Sequence, residues 1–99
     1  MGIKVGINGF GRIGRLSFRA GLQREDMDII AINAPDKTPA QVAYLFKYDS
    51  VHGHFDGEVD YEDKALIVNG KRVELLDCRD PQKLNWGDLG VEYVLECTG

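Results

Sequence analysis

Glycines at positions 9, 11 and 14 are spaced so that the backbone between them can bind a phosphate anion. In the pattern Gly9-x-Gly11-x-x-Gly14, the first glycine permits a sharp turn, the second lets backbone N–H groups approach a diphosphate, and the third lets a helix pack closely on a strand. A helix that begins there directs its unpaired N–H groups and its dipole at the anion. The motif therefore predicts a dinucleotide-binding turn, with a glycine turn that binds nothing as the alternative.

The residues on both sides of the motif predict the elements that must position it. Ile3, Val5 and Ile7 alternate with polar or small residues, which is typical of a strand. After the motif, apolar residues recur at helical spacing, namely Ile13, Leu16 and Ala20. We expect a helix over 12–24 and a second strand over 28–33, which ends about 20 residues beyond the last glycine, as a βαβ unit requires.

The residues that follow the second strand should form one wall of a binding crevice. Parallel strands joined by a helix require a right-handed crossover, which brings the end of the second strand beside the glycine turn. Asn33, Ala34, Pro35 and Asp36 come directly after that strand, so we expect them to line the crevice where an adenosine would lie.

A second helix is predicted from Thr38-Pro39-Ala40-Gln41. Thr38 is placed as the N-cap, Pro39 takes the first helical position, and Gln41 completes a capping box. The helix should run to about Lys47. Its apolar positions should face the sheet: Val42, Leu45 and Phe46.

The segment that follows is predicted to be antiparallel. Short strands are expected at 58–61 and 65–68, separated from the second helix by a loop. Asn69-Gly70, placed before a strand over 71–76, is a strong signal for a hairpin with a type I′ turn.

The C-terminal part should return to the parallel sheet. Asp80-Pro81 predicts a helical turn, Trp86 a packing anchor, and 91–97 an apolar strand. The fold class is therefore α/β and Rossmann-type, with parallel strands and an antiparallel hairpin. Because a doubly wound fold would continue with another helix, we expect residues 1–99 to be the N-terminal portion of an NAD(P)-binding domain.

Length, charge and hydropathy favour one domain of an ordinary globular protein. The chain has 99 residues and a net charge of −4, with acids and bases interspersed. It has no basic stripe for nucleic acid, no apolar run near the ~20 residues of a membrane span, and no signal-peptide core at its N-terminus. We expect a cytoplasmic protein that binds neither nucleic acid nor membrane.

The residues able to bind a metal or act as nucleophiles form no cluster in the sequence. Cys78 and Cys97 fit no zinc spacing and are expected to be reduced thiols. Cys97 ends an apolar run, where a small buried residue is the simple explanation. His52 and His54 are two residues apart but have no further ligands near them, so we predict no metal site and no catalytic residue in this chain.

The run Gly6–Arg15 resembles the opening of the phosphorylating glyceraldehyde-3-phosphate dehydrogenases. Later stretches resemble the same family in the same order, namely Ala31-Ile32-Asn33, 47–53, 67–71, Arg79-Asp80-Pro81 and Glu96-Cys97-Thr98-Gly99. Together these stretches span nearly the whole chain, so the resemblance is more specific than the glycine motif alone.

The resemblance implies a set of cofactor-binding positions. Backbone N–H groups at positions 11–13 would bind the pyrophosphate, and this agrees with the reading of the glycine motif. Asn33, Ala34 and Arg79 would flank the adenosine, although Arg79 could also be a plain surface residue. The other residues that would surround the cofactor are Asn8, Gly9, Phe10, Gly11, Arg12, Ile13, Thr98 and Gly99.

The family also implies a reaction. A complete enzyme would be a homotetramer that oxidises glyceraldehyde 3-phosphate to 1,3-bisphosphoglycerate with phosphate and NAD or NADP. The resemblance implies that the cysteine and histidine of this chemistry would lie beyond Gly99, in a catalytic domain absent from this chain. Two alternatives remain open: erythrose-4-phosphate dehydrogenase, which shares the fold, and a nucleotide-binding or interaction module without catalysis.

The sequence departs from the family at two positions that bear on the cofactor. Ala34 stands where the family usually has an aspartate that holds the adenosine ribose, and Cys78 stands where a glutamate is frequent. An acidic residue favours NAD and repels a 2′-phosphate, so its absence favours tolerance of NADP. Lys37 and Thr38 follow closely and could bind that phosphate, or they could be a solvated lysine and a simple N-cap.

Overall fold

The computed structural model describes residues 2–48, 57–80 and 84–97, which form one mixed sheet with helices packed against it. Pro81, the histidines at 52 and 54, Thr98 and Gly99 lie outside these residues. The elements, in chain order, are β1 (Ile3–Asn8), α1 (Arg12–Leu22), β2 (Met27–Asn33), α2 (Pro39–Tyr48), β3 (Val59–Glu62), β4 (Ala65–Val68), β5 (Lys71–Leu76), a 3₁₀ turn (Gly87–Leu89) and β6 (Tyr93–Glu96).

The sheet has six strands in the order β3-β4-β5-β2-β1-β6. β5, β2, β1 and β6 pair in parallel, whereas β3 and β4 extend the same sheet in antiparallel pairing on the far side of β5. The predicted fold class, with its hairpin, is confirmed. The carboxyl ends of the parallel strands share one edge of the sheet, which is where ligands bind in open α/β sheets.

β5 has two roles that the sequence alone did not separate. It is the second arm of the predicted hairpin, whose turn residues Asn69 and Gly70 both have positive φ angles, 52° and 81°. These angles are those of a type I′ turn, so the turn prediction is confirmed. β5 also pairs in parallel with the end of β2, so the hairpin is continuous with the dinucleotide-binding part of the sheet.

The core lies between the sheet and the two helices. Phe18 of α1 and Phe46 of α2 are both fully buried, and their ring centroids are 4.7 Å apart. Because these rings are in contact, α1 and α2 cover the same face of the sheet. Ile7 and Ile32, from the central strands, are also fully buried in this cluster.

The buried face of α1 differs from the one that its apolar spacing indicated. Ile13 is 61% exposed, and the residues that face the sheet are Gly14, Phe18 and Gly21. A Cβ atom at Gly14 would overlap the carbonyl oxygen of Gly9 and lie 3.1 Å from its carbonyl carbon. The helix thus approaches the sheet through its glycines and one aromatic ring, and the close approach that the motif predicts at Gly14 is confirmed.

Two predicted helix boundaries can be compared with the structure. α1 ends at Leu22 instead of near residue 24, because the N–H groups of Gln23 and Arg24 bond back to Ala20 and Gly21 in a closing turn. α2 ends one residue later than expected, at Tyr48.

The capping box of α2 forms as predicted. The Thr38 N–H donates to Gln41 Oε1 at 2.8 Å, and the Gln41 N–H donates to Thr38 Oγ1 at 3.2 Å. Val42 and Phe46 are buried against the sheet as expected, but Leu45 is only half-buried. The expectation that Leu45 faces the sheet was therefore wrong, and the small Ala43 is buried in addition.

The C-terminal strand is shorter than its apolar run. β6 covers Tyr93–Glu96, since the N–H of Val91 donates to the Trp86 carbonyl at 3.0 Å and leaves the ladder. The indole of Trp86 lies against the backbone of β1, where a Cβ atom at Gly6 would come within 2.5 Å of Cζ3. Trp86 is therefore the packing anchor that the sequence predicted.

Replacing Gly14 by alanine should destabilise the fold. The added methyl meets backbone atoms that cannot rotate away, and overpacking of this kind costs about 1–3 kcal/mol even against the better helix propensity of alanine. Urea unfolding of Gly14→Ala measures the loss. Gly11→Ala is the matched control, because a Cβ atom there has no neighbour within 4 Å. Equal unfolding free energies for the two variants would contradict the packing argument.

Candidate cofactor site

The site is built where the loops after β1, β2 and β5 leave the sheet together. The Gly9 N–H donates to the Asn33 carbonyl at 2.9 Å, which joins the glycine turn to the end of β2. The Ala34 N–H donates to the Leu76 carbonyl at 2.8 Å, which joins the next residue of that loop to the end of β5. These two hydrogen bonds fix the positions at which the loops that line the crevice leave the carboxyl edge of the sheet.

Asn33 holds these loops through its side chain. Its Nδ2 donates to Asn8 Oδ1 at 2.9 Å and to the Cys78 carbonyl at 2.8 Å, and its Oδ1 accepts from the Cys78 N–H at 2.9 Å. Asn33 is only 2% exposed and Asn8 only 4%. A buried amide with all of these bonds satisfied fixes the position of every group that it joins.

Asn8 extends the network to the fourth parallel strand. Its Nδ2 lies 3.1 and 3.2 Å from the two carboxylate oxygens of Glu96 at the end of β6. A line of polar side chains thus runs along the carboxyl edge, from the loop after β5 through Asn33 and Asn8 to Glu96. The structure places both asparagines at the base of the crevice with their amides already bonded to protein groups.

The glycine turn leaves open space in front of the N-terminus of α1. Gly9 has φ 103°, a conformation that glycine adopts without strain. Gly11 is the N-cap residue in extended conformation, with φ −80° and ψ −159°, and it provides no side-chain cap. No acidic residue lies in the first turn, and a Cβ atom at Gly11 would meet nothing within 4 Å.

These features fit the diphosphate of a dinucleotide. The first N–H groups of the helix have no intrahelical partner, and the helix dipole adds a positive potential at the same point. The space in front of Gly11 lets a phosphate approach the backbone directly. Arg12 and Ile13, which supply the next N–H groups, are both exposed in the first turn.

The turn is fixed from below by its own residues. Phe10 is 2% exposed and its ring packs near Phe18 and Phe46, with centroids 6.2 and 6.4 Å apart. Arg15 Nη1 donates to the Phe10 carbonyl at 3.2 Å. The side chain of Phe10 thus anchors the loop in the core while its backbone remains part of the turn.

Asp36 and Arg79 face each other from the loops after β2 and β5. Arg79 Nε donates to Asp36 Oδ1 at 3.1 Å, and Nη2 contacts the same oxygen. The hydrogen bond and the charge of Asp36 raise the pKa of Arg79, because both favour the charged guanidinium. Both side chains are exposed, so the pair lies in water between the two loops.

Ala34 lies beside a cavity of about 280 Å³ formed under the same loops. Lys37 and Thr38 from the start of α2 line it, together with Asp63 and Lys64 from the turn between β3 and β4. Ala34 itself is only 2% exposed. The two residues that the sequence analysis placed near a 2′-phosphate therefore lie on the same cavity as Ala34.

Comparison with known proteins identifies the domain that carries this site. The chain matches, over residues 3–99, the family model described as the NAD binding domain of glyceraldehyde 3-phosphate dehydrogenase. The chain belongs to this family. The resemblance inferred from the sequence is therefore confirmed, and the glycine turn lies in an NAD-binding domain.

Individual glyceraldehyde-3-phosphate dehydrogenases show the same relationship. The chain is 54% identical to the enzyme of Ogataea parapolymorpha over 99 residues and 55% identical to that of Salmonella typhimurium over 100 residues. Glyceraldehyde-3-phosphate dehydrogenase 1 of Candida glabrata is 50% identical over 97 residues. These alignments cover 98–100% of this chain and 29–30% of each relative, so the chain spans about 30% of their length.

Within this dehydrogenase domain, the structure brings most of the expected cofactor positions to one edge. The glycine turn, Asn33, Ala34 and Arg79 all lie where strands β1, β2 and β5 end, whereas Thr98 and Gly99 fall outside the described residues. The sequence places Asp36 on the crevice, but it did not predict the contact of Asp36 with Arg79 or that of Glu96 with Asn8. The only available signal was that Asp36 and Glu96 are charged residues at or just after the end of a parallel strand.

The two cysteines are the remaining candidate residues that the structure describes, since His52 and His54 lie outside the described residues. Cys78 and Cys97 are free, half-buried thiols, and Cys97 Sγ lies 3.8 Å from Ser17 Oγ. Among residues 2–48, 57–80 and 84–97, no three metal-binding side chains come together. Within the same residues, no helix has the length and apolar character to cross a membrane.

Substituting Asn33 by leucine should destabilise this dehydrogenase domain by about 2–4 kcal/mol, because buried groups of Asn8 and Cys78 lose their partners. Chemical unfolding measures the change. Asn85→Leu is the matched control, since Asn85 is exposed and bonds to nearby Asp88, and it should cost less than about 0.5 kcal/mol. If Asn33→Leu were no less stable than this control, the network would not be what holds the loops.

Proposed function

We propose that this chain is the cofactor-binding segment of a phosphorylating glyceraldehyde-3-phosphate dehydrogenase. The complete enzyme would oxidise glyceraldehyde 3-phosphate to 1,3-bisphosphoglycerate with phosphate and NAD or NADP. The observation that carries this proposal is the uncapped, open N-terminus of α1 behind Gly11, within a domain of this family. The names of the related enzymes support this aldehyde over erythrose 4-phosphate.

In the proposed binding mode, the pyrophosphate lies on the backbone N–H groups of Gly11, Arg12 and Ile13. Asn8, Gly9 and Phe10 shape the turn that presents these groups. Thr98 and Gly99 complete the site on the pyrophosphate and nicotinamide ribose side. The affinity then comes from charge-assisted hydrogen bonds and the helix dipole, which require no basic side chain at this point.

The adenosine is proposed to lie between the loops that carry Ala34 and Arg79. Asn33 would support it from below, because its side chain holds both loops in place. Ala34 has no carboxylate to accept bonds from the ribose hydroxyls or to repel a 2′-phosphate. We therefore assign to the enzyme the use of NADP as well as NAD, with Lys37 and Thr38 beside the same cavity.

We propose that cofactor binding and catalysis are carried out by different parts of the complete enzyme. When bound, the dinucleotide supplies the hydride acceptor. The segment 1–99 binds and orients it, whereas the thiol nucleophile and the histidine base would belong to a catalytic domain that follows Gly99. We also propose that the complete enzyme is a homotetramer and that it is located in the cytoplasm.

Gly11→Val tests the proposed pyrophosphate site. Its side chain would occupy the open space in front of α1, so NAD binding to the full-length enzyme should weaken by roughly 100-fold or more, equivalent to about 2.7 kcal/mol. Titration calorimetry gives the affinity and circular dichroism checks the fold. Gly87→Val, at another glycine with open space around it, should bind NAD normally. Unchanged affinity in Gly11→Val would show that the phosphate site has been misplaced.

Ala34→Asp tests the assignment of cofactor preference. A carboxylate there would bond to the ribose hydroxyls of NAD and repel the 2′-phosphate of NADP, so the ratio of kcat/KM for NAD over NADP should rise by roughly 100-fold. Ala34→Asn has the same volume without the charge and should change the ratio much less. A wild-type enzyme that already prefers NAD by roughly 100-fold would contradict the assignment.

A further inference from the structure

The ion pair between Asp36 and Arg79 spans the two loops between which the adenosine is proposed to lie. Asp36 is the third residue after β2, and Arg79 is the third residue after β5. These strands are neighbours in the sheet, so the side chains meet above their shared carboxyl edge. The carboxylate that is missing at Ala34 is therefore present two residues later, where it contacts a cation of the opposite loop.

We propose that Asp36 is a specificity-determining residue, because its carboxylate occupies the Arg79 guanidinium that a 2′-phosphate would otherwise bind. The inference rests on the proposed function, since it requires a dinucleotide in this crevice. Asp36 then acts as an internal competitor for the phosphate. NADP has to displace it, whereas NAD, which has no 2′-phosphate, does not.

The chemistry of the pair supports this competition. Arginine presents a planar fork of N–H donors that binds carboxylate or phosphate in the same way. Asp36 already uses the Nε and Nη2 edge of that fork. A phosphate approaching the same edge meets a like charge as well as an occupied donor, so both effects oppose the binding of NADP.

The loop backbone holds Asp36 in the competing position. Asp36 has φ 66°, a left-handed conformation that aspartate and asparagine tolerate better than most residues. Its N–H donates to Asp77 Oδ1 at 3.0 Å. This bond ties the backbone of Asp36 to the loop after β5, the same loop that carries Arg79. The pair is therefore supported by a second contact between the loops.

Binding measurements on the full-length enzyme test the inference. Asp36→Asn removes the carboxylate charge beside the Arg79 guanidinium, and asparagine still tolerates the left-handed backbone conformation at position 36. NADP affinity measured by titration calorimetry should increase roughly tenfold, with a larger increase at low ionic strength. NAD affinity should change less than about twofold. Asp26→Asn is the matched control, because it removes the carboxylate of another exposed arginine–aspartate pair, Arg24–Asp26, which lies just before β2 at the opposite end of that strand, and it should alter neither affinity.

The half-cofactors 2′,5′-ADP and 5′-AMP isolate the effect, because they differ only in the 2′-phosphate. Asp36→Asn should bind 2′,5′-ADP more tightly than the wild type does and should bind 5′-AMP with unchanged affinity. An unchanged preference in Asp36→Asn, with measurable binding of NAD, would overturn this inference alone. A tenfold loss of NAD affinity would also overturn it, because Asp36 would then be a ribose ligand. A wild type that binds neither dinucleotide would overturn the proposed function as well.

Discussion

The buried side chain of Asn33 is the contact on which the rest of the crevice depends. One amide joins Asn8 at the end of β1 to the backbone of Cys78 after β5, and through Asn8 it reaches Glu96 at the end of β6. Strand pairing alone fixes the strands but not the loops that leave them. The hydrogen bonds of the Asn33 amide connect those loops to the ends of the strands. The groups proposed to bind a dinucleotide therefore have defined positions before any ligand binds.

The glycine turn meets a different constraint, since each of its glycines is required for a separate reason. Gly9 adopts a positive φ angle, Gly14 permits the approach of α1 to the backbone, and Gly11 leaves free space for a ligand. The first two requirements belong to the fold and the third to the proposed binding of a pyrophosphate. Substitutions at these neighbouring positions should therefore separate effects on stability from effects on affinity.

Local signals predicted much of this fold, and the failures occurred where contacts between distant residues decide the structure. The capping box of α2 and the Asn69-Gly70 turn depend on residues close in sequence, and both were predicted correctly. The buried face of α1 was predicted only at Gly14, which the glycine motif places close to the strand, because the other buried residues, Phe18 and Gly21, are identified by contacts with distant parts of the chain. The pair of Asp36 and Arg79 joins residues 43 positions apart, and no local pattern indicates it. The expected cofactor residues followed from the motif and the family, whereas their hydrogen-bond partners required the three-dimensional structure.

The strand order has a consequence for how the chain assembles during synthesis. β1 is made first and lies inside the sheet, but its second neighbour is β6, and the contact between Asn8 and Glu96 joins residues 88 positions apart. One edge of β1 therefore stays unpaired until residues 93–96 have been made, which takes several seconds at about 5–20 residues per second. The hairpin of β4 and β5 can form meanwhile, because its strands are adjacent in sequence. The nascent chain thus carries an apolar strand with an open edge until Glu96 emerges, which is the interval in which a chaperone would have most effect on its yield.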